Sequence, residues 1–335
     1  MNRFLKCMAV FFVLTVLLSG FAFAGGAKEP ISGEKEILIY MQMGGTQGDG
    51  ATLARTNGAR AAAKALGNIK LIEQYSQWRA ETMISQFKEA LAANPAGIVI
   101  MGHPGEAAFA PLVEEARKRG ILVTSGNAPL PGLEKRYQPE GFGYAGVDLY
   151  AGGYMTGEIM VRLGNLKSGD KAVVFGLFSE PGRRDSPTGM YDALVKAGLK
   201  VDKLEISPEV NADSSFGIPI LTAYLERNPD TKAVGTQHGA VTSIIPNVLQ
   251  AVGKKPGDIT VGGIDLAPAT IEGVEKGYIS ATLDQVLYLQ GYLPVSQIVM
   301  TYRYKIPGLH INTAAGAVTP TNIKELKPLI EQGIR

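Results

Sequence analysis

The sequence predicts an α/β protein built as two similar lobes, each a parallel sheet flanked by helices. Two observations predict it. Short apolar runs alternate with amphipathic stretches from Glu36 onward, and after one irregular segment the same alternation starts again. Buried parallel strands read as continuous apolar runs, and their regular alternation with helices is the pattern of a parallel sheet.

The chain begins with Arg3 and Lys6 ahead of an uncharged apolar run over residues 8–18, followed by Ser19-Gly20 and Ala22-Phe23-Ala24. That order predicts a secretory signal peptide over residues 1–24, cleaved near Ala24. The tract turns small and Gly-rich before it reaches the ~20 apolar residues of a membrane span. Cys7 precedes the apolar run, so it is not the cysteine of a lipoprotein cleavage site.

The first set of strands is Ile37-Leu38-Ile39-Tyr40, Lys70-Leu71-Ile72, Gly97-Ile98-Val99-Ile100 and Ile121-Leu122-Val123-Thr124. Helical spacing fills the gaps. Over residues 82–91, Met83, Phe87 and Leu91 recur every fourth residue, and Ile84 widens the apolar face. Residues 127–142, with Pro129, Pro131, Gly132, Pro139 and Gly141, have no period and read as a loop or linker. The beat then restarts with Ala172-Val173-Val174-Phe175, Leu199-Lys200-Val201, Ala233-Val234-Gly235, Ile259-Thr260-Val261 and Ile279-Ser280-Ala281-Thr282.

Charge and cysteine content narrow the function classes. Lys plus Arg number 33 against 31 Asp plus Glu; without Arg3 and Lys6 the balance is 31 to 31, a net charge of zero. Such a balance gives no electrostatic attraction to nucleic acid or anionic membrane, and no nucleic-acid partner is expected. Cys7 is the single cysteine, so the mature chain has no disulfide and is held by its core alone. A chain of ~300 residues buries about three quarters of its unfolded surface, which suffices.

Gly44-Gly45-Thr46-Gln47-Gly48-Asp49-Gly50 follows the first strand and opens a helix. The spacing fits neither a dinucleotide fingerprint nor a Walker A loop, and reads instead as a flexible mouth at a strand's carboxyl end, where open α/β sheets bind ligands. His103, His238 and His310 are the only histidines, with no partner at the spacing of a zinc site. His103 and His238 both follow apolar strands, where ligand-facing polar groups belong; for His103 a plain surface-loop position is the competing reading. Neither a Gly-x-Ser-x-Gly elbow, a His-Glu-x-x-His motif nor a Cys-x-x-Cys pair occurs, so Asp148 and Asp265 at strand ends have no nucleophile or metal cluster beside them. No cofactor and no metal are expected.

Four segments resemble the periplasmic substrate-binding proteins of sugar ABC transporters, the cluster that includes ribose-, galactose- and xylose-binding proteins. Arg184-Asp185-Ser186-Pro187-Thr188-Gly189 is similar to a helix opening whose arginine contacts sugar. Val261-Gly262-Gly263-Ile264-Asp265 resembles the strand whose aspartate binds sugar hydroxyls, and Ala281-Thr282-Leu283-Asp284-Gln285 the strand whose glutamine contacts sugar and marks a hinge. Tyr144-Ala145-Gly146-Val147-Asp148, then Gly153, resembles the crossover into the second lobe. The chain departs from the family where the first loop lacks Asn-Pro-Phe-Phe, where His238-Gly239-Ala240 replaces Asn-Asp-Glu, and where Asn127-Ala128 replaces Asp-Arg. Trp78, the only tryptophan, either supplies the missing stacking surface or packs between helix and sheet; Phe178 is the other aromatic in question.

The resemblance implies two Rossmann-like lobes joined by three crossings, the type I periplasmic binding protein fold. The expected first lobe is 36–142 plus 286–313, and the second 143–285 plus 314–335. It also implies an exported, periplasmic protein, acting as a monomer, that closes on a monosaccharide or polyol and delivers it to a membrane ABC permease. Asp265, Arg184, Asn127, Gln285 and His238 are the expected hydroxyl partners, with His103, Trp78, Gln47 and Asp49 around them. Other readings are a signal-molecule receptor of the same fold and an exported carbohydrate-active enzyme; the latter requires two convergent carboxylates ~5–10 Å apart.

Overall fold

Short β-branched and apolar runs fold as strands and the amphipathic stretches between them as helices throughout residues 35–335, the part of the chain that the computed structural model describes. The expected signal peptide and its cleavage site lie outside the described residues. In chain order come β1 (Ile37–Gly44), α1 (Gly50–Leu66), β2 (Ile69–Tyr75), α2 (Ala80–Ala92), β3 (Gly97–Met101), α3 (Glu106–Lys118), β4 (Leu122–Asn127), α4 (Pro131–Tyr137) and β5 (Tyr144–Gly146). A second series follows: α5 (Leu149–Leu163), β6 (Lys171–Gly176), α6 (Asp185–Lys196), β7 (Lys200–Glu205), α7 (Pro208–Ala212), α8 (Gly217–Arg227), β8 (Thr231–Thr236), α9 (Gly239–Ala251), β9 (Thr260–Ile264), α10 (Pro268–Glu275) and β10 (Ala281–Leu283). The chain ends with α11 (Leu287–Tyr304), β11 (His310–Asn312), β12 (Ala317–Val318) and α12 (Ile323–Glu331).

Two six-stranded sheets result, ordered β11-β5-β4-β3-β1-β2 and β12-β10-β9-β8-β6-β7. The first is parallel throughout, and only β12, antiparallel to β10, breaks the rule in the second. Apart from the added edge strand, the two orders are the same topology repeated. In each, the winding reverses at its first strand, between β1 and β3 and between β6 and β8. Such reversals open a crevice at the strands' carboxyl ends, the place where doubly wound sheets take ligands.

Sheet membership sets the lobes. β5 pairs with β4 in register Ser125 to Tyr144, so the first sheet extends past the expected boundary at residue 142 to Gly146. Three β-residues are too short a run to announce a strand by pattern, which is why the loop signal of residues 127–142 dominated. The chain passes between sheets three times: from β5 to α5, from β10 to α11, and from β11 to β12.

Each sheet is covered on both faces. On the first, Ile37, Ile39 and Met41 of β1 pack against Val295 and Ile298 of α11, while Ile98 and Ile100 of β3 pack against Phe87 of α2 and Phe109 of α3. On the second, Val173, Phe175 and Val261 meet Leu221 of α8, Ile245 of α9 and Val274 of α10, with Ile323 of α12 completing that core. Met190 and Leu194 of α6 and Met160 of α5 cover the opposite face. Among the described residues, no helix is long and apolar enough to cross a membrane.

Candidate ligand-binding cleft

A cavity of about 230 Å³ lies where the carboxyl ends of the two sheets meet. β1, β3 and β4 bring residues from one side, and β8, β9 and β10 from the other. Its size is below the ~300–1,000 Å³ of pockets for drug-sized ligands and suits a smaller molecule.

Seven of the nine residues expected from sequence line it: Asp49, Trp78, His103, Asn127, His238, Asp265 and Gln285. Two do not. Gln47 is exposed on the first loop, and Arg184 turns its side chain to solvent beside Asp185. Its neighbour Arg183 lines the cavity instead, buried, with Nη1 donating to Asn211 Oδ1 at 3.0 Å and lying 3.5 Å from Glu180 Oε2. Consecutive residues in the tight turn before α6 point in different directions, so a one-residue displacement exchanges a buried guanidinium for an exposed one. Phe178 also stays outside the cavity, packed against the α5–α6 core under Lys203.

Trp78 is the cavity's aromatic surface. Its indole stacks on the His103 ring with centroids 5.3 Å apart, and the guanidinium carbons of Arg55 and Arg183 lie 5.7 and 6.0 Å from the indole centroid. A side chain at Gly44 or Gly45 would occupy the space of this indole. The glycines at the end of β1 therefore admit an aromatic ring against the backbone. Asp49 belongs to the loop more than to the cavity: its two carboxylate oxygens accept from Thr52 N at 2.7 Å and Thr46 N at 2.8 Å, capping α1.

A relay of amides crosses the floor. His103 Nε2 donates to Asn127 Oδ1 at 2.6 Å, and Asn127 Nδ2 donates to Gln290 Oε1 at 2.9 Å. Gln290 Nε2 donates in turn to Thr313 Oγ1 and the carbonyl of Gln285. Arg55, fully buried in α1, gives Nη1 to the Met43 carbonyl at 2.5 Å. Burial draws its pKa down to about 10, against the pull of Asp265 and Asp49. Neither Arg55 nor Gln290 was expected from the sequence. Each sits on the buried stripe of its helix, Arg55 in line with Thr52, Ala59 and Ala62, so a charged or amide residue on an apolar stripe was the available signal.

Asp265 follows β9 with its carboxylate partly buried, accepting from Gln285 Nε2 at 2.6 Å. Burial raises its pKa, while Gln285, Arg55 and Arg183 oppose the shift. It does not cap α10, whose cap is Ala267. Trp78, Asn127 and Asp265 all take left-handed backbone angles, with φ of 59°, 64° and 71°. Such conformations cost on the order of 1–3 kcal/mol each in non-glycine residues and cluster at ligand sites.

The two cavity histidines are neutral. Burial, followed by the charge of Arg183, pushes the His103 pKa well down and that of His238 to about 3. His310 lies elsewhere, at the crossings, between Glu134 and Asp148. Among the described residues no group of three or more His, Cys, Asp or Glu is arranged to hold a metal.

The periplasmic binding protein domain matches residues 46–302. The chain belongs to that family. A xylose/arabinose-binding protein, XylF, from Sulfolobus acidocaldarius is 29% identical over 258 residues, 72% of this chain and 61% of that protein. The chain thus spans 61% of the length of the curated relative it matches. Among solved structures, a carbohydrate transporter from Acidothermus cellulolyticus in complex with myo-inositol superposes with a TM-score of 0.75 at 20% identity, covering 90% of this chain and all of that one. A solute-binding protein from Agrobacterium vitis with bound D-fucose gives 0.76 at 19%, covering 87% and 98%. At these identities the likeness shows the shared two-lobe α/β fold.

Proposed function

We propose that this protein is an exported solute-binding protein that captures a monosaccharide or polyol between its lobes and hands it to an ABC permease. The observation that carries this reading is the cavity wall itself: an indole face beside a partly buried carboxylate, two guanidiniums and neutral imidazoles, with the carboxylate, guanidiniums and imidazoles each held by a hydrogen bond. Sugars present an apolar face and a rim of directional hydroxyls, and a dry cleft with a few fixed polar groups recognises both. Myo-inositol, D-fucose and D-arabinose in relatives of the same fold support the ligand class.

On this reading Asp265, Gln285, Asn127, Arg183, His103 and His238 share the hydroxyls, and Trp78 stacks on the ring. The lobes are 36–146 plus 287–313 and 148–285 plus 314–335, closing by hinge motion at the three crossings. The protein works in the periplasm as a monomer, without cofactor or nucleic acid, and catalyses no reaction. Thermal-shift screening of the purified chain against pentoses, hexoses, cyclitols and furanosyl signal molecules tests it. A rise in melting temperature with a neutral sugar or polyol is expected; a rise only with furanosyl signals would favour a receptor, and no rise with any of them would overturn the reading.

A further inference from the structure

Three buried nitrogens on residues lining the cavity have no hydrogen-bond partner: His103 Nδ1, His238 Nε2 and Arg55 Nε. A buried polar group left unmade is costly, and on side chains that line the cavity an occupant can supply the missing partner, given a small shift of the ring or guanidinium that opens each nitrogen to it. Their neighbours fix which of the imidazole nitrogens carries the proton. Asn127 Oδ1, held by the donation of its own Nδ2 to Gln290, can only accept, so His103 Nε2 carries the hydrogen at 2.6 Å and Nδ1 is bare. The amide of Ala240 can only donate, and it lies 3.2 Å from His238 Nδ1. His238 Nδ1 is therefore the acceptor and Nε2 carries the hydrogen. The two histidines make opposite demands on one ligand.

Resting on the sugar-or-polyol reading, we infer that His103 is a specificity-determining residue, accepting a hydroxyl proton from the ligand at Nδ1 while His238 Nε2 and Arg55 Nε donate to ligand oxygens. A hydroxyl donates and accepts, so a polyhydroxyl compound satisfies all three. A carboxylate or phosphate oxygen only accepts, and against His103 Nδ1 it would set lone pair against lone pair. Two buried guanidiniums beside Trp78 would, by charge alone, favour an anionic sugar. The locked tautomer opposes that preference, and Asp265 supplies a partly buried carboxyl to balance the charge. The selected class is the neutral polyol or aldose in preference to the sugar acid.

The test uses the purified chain with ¹⁵N-labelled histidine and four probes: D-xylose, D-galactose, myo-inositol and D-galacturonate. Long-range ¹H–¹⁵N spectra at pH 7 should show His103 and His238 both protonated at Nε2. Saturation with the tightest neutral probe should move the His103 Nδ1 resonance in the direction of an accepted hydrogen bond. D-Galacturonate should bind at least ~10-fold more weakly than D-galactose. His103→Phe, which keeps an aromatic ring against Trp78, should weaken the tightest neutral probe by ~10- to 100-fold, and His103→Gln should recover part of the loss. A proton on His103 Nδ1, an unmoved Nδ1 on saturation, tighter binding of galacturonate, or His103→Phe within ~2-fold of the native chain would each overturn the assignment and leave the sugar reading standing. If no neutral probe binds the native chain, both fall together.

Discussion

The three histidines occupy two regions that treat the same side chain in opposite ways. In the cleft, His103 and His238 are buried beside Arg183, and both are driven to the neutral form. At the crossings, His310 reaches Glu134 with Nδ1 at 2.9 Å and Asp148 with Nε2 at 2.9 Å, and its pKa is raised. Two carboxylates, one on each ring nitrogen, call for two donors, which only the imidazolium provides. The cleft thus removes charge from its histidines and keeps fixed, directional donors and acceptors. The crossings retain charge and use it to tie one lobe to the start of the next. In the cleft desolvation decides the histidines' charge, and at the crossings pairing outweighs it.

The largest effect should come from the cleft's carboxylate. Asp265→Asn retains a residue that tolerates φ of 71° and removes the charge. Affinity for the tightest neutral sugar should fall by about 100-fold, about 3 kcal/mol, with the melting temperature nearly unchanged. Calorimetric titration beside a melting curve checks it. Unchanged affinity with a lowered melting temperature would make the cleft network structural, and the contrast with the hinge would disappear.

Next comes the acid limb of stability. A histidine whose folded pKa is depressed contributes fully above its unfolded value of ~6.5, and that contribution is lost as pH falls from there toward the folded pKa. For His238, about 3 when folded, the loss by pH 4.5 should be on the order of 2 kcal/mol. Asp265, whose carboxyl is pushed up, works in the opposite sense, so the informative quantity is a difference between chains. Urea unfolding of the native chain and His238→Asn at pH 7 and 4.5 should show a shallower acid loss in the variant. Parallel losses would mean that His238 is already charged in the fold.

How much of this was legible in the sequence follows from where each residue sits. Strand ends can be read, because an apolar run followed by a polar residue marks the sheet's carboxyl edge; His103, His238 and Asp265 are candidates on that ground, and Asn127 is one through family likeness. Trp78 and Gln285 came from scarcity and from family likeness. Arg55 and Gln290 lie inside helices, where pattern predicts burial but not which polar residue the burial serves. Arg183 and Arg184 differ only in how a tight turn aims them. β5, β11 and β12, with two or three residues each, are too short for periodicity to reveal, and tertiary pairing makes them strands.

A third experiment turns to the second crossing. Asp284 is 2% exposed; its Oδ1 accepts from Val286 N at 2.8 Å, and its Oδ2 from Arg335 Nε at 2.8 Å. Val286 starts α11 at φ of 46°, unusual for a β-branched residue, so this carboxylate holds a strained hinge backbone. Breaking a buried pair costs ~3–5 kcal/mol, but Arg335 is partly in water, and Arg335→Ala should cost about 1–2 kcal/mol. Differential scanning calorimetry measures it. A loss below that of His310→Gln would show that the Asp284 carboxylate is held by the backbone amide alone.

The smallest effect, and the one that most directly sets hinge against cleft, belongs to His310. Glu134 faces it from α4, Asp148 from the start of α5, and Tyr144 from β5 at a ring distance of 5.0 Å; Asn312 shares Asp148. A raised folded pKa means that the fold gains from the charged ring. That gain is complete below the unfolded value of ~6.5 and is lost as pH rises through the folded pKa. Stability should therefore decline on the alkaline side for His310, where the cleft histidines have no further effect. The side chain is 43% exposed, so solvent screening limits the contribution to about 1 kcal/mol or less. His310→Gln keeps hydrogen-bonding groups at the position without the charge. Its melting temperature should lie below that of the native chain at pH 5.5 and converge with it by pH 9, a difference that 1 M salt diminishes. A constant offset at all pH values would mean that the ring acts by packing on Tyr144, and the hinge would then differ from the cleft in exposure only.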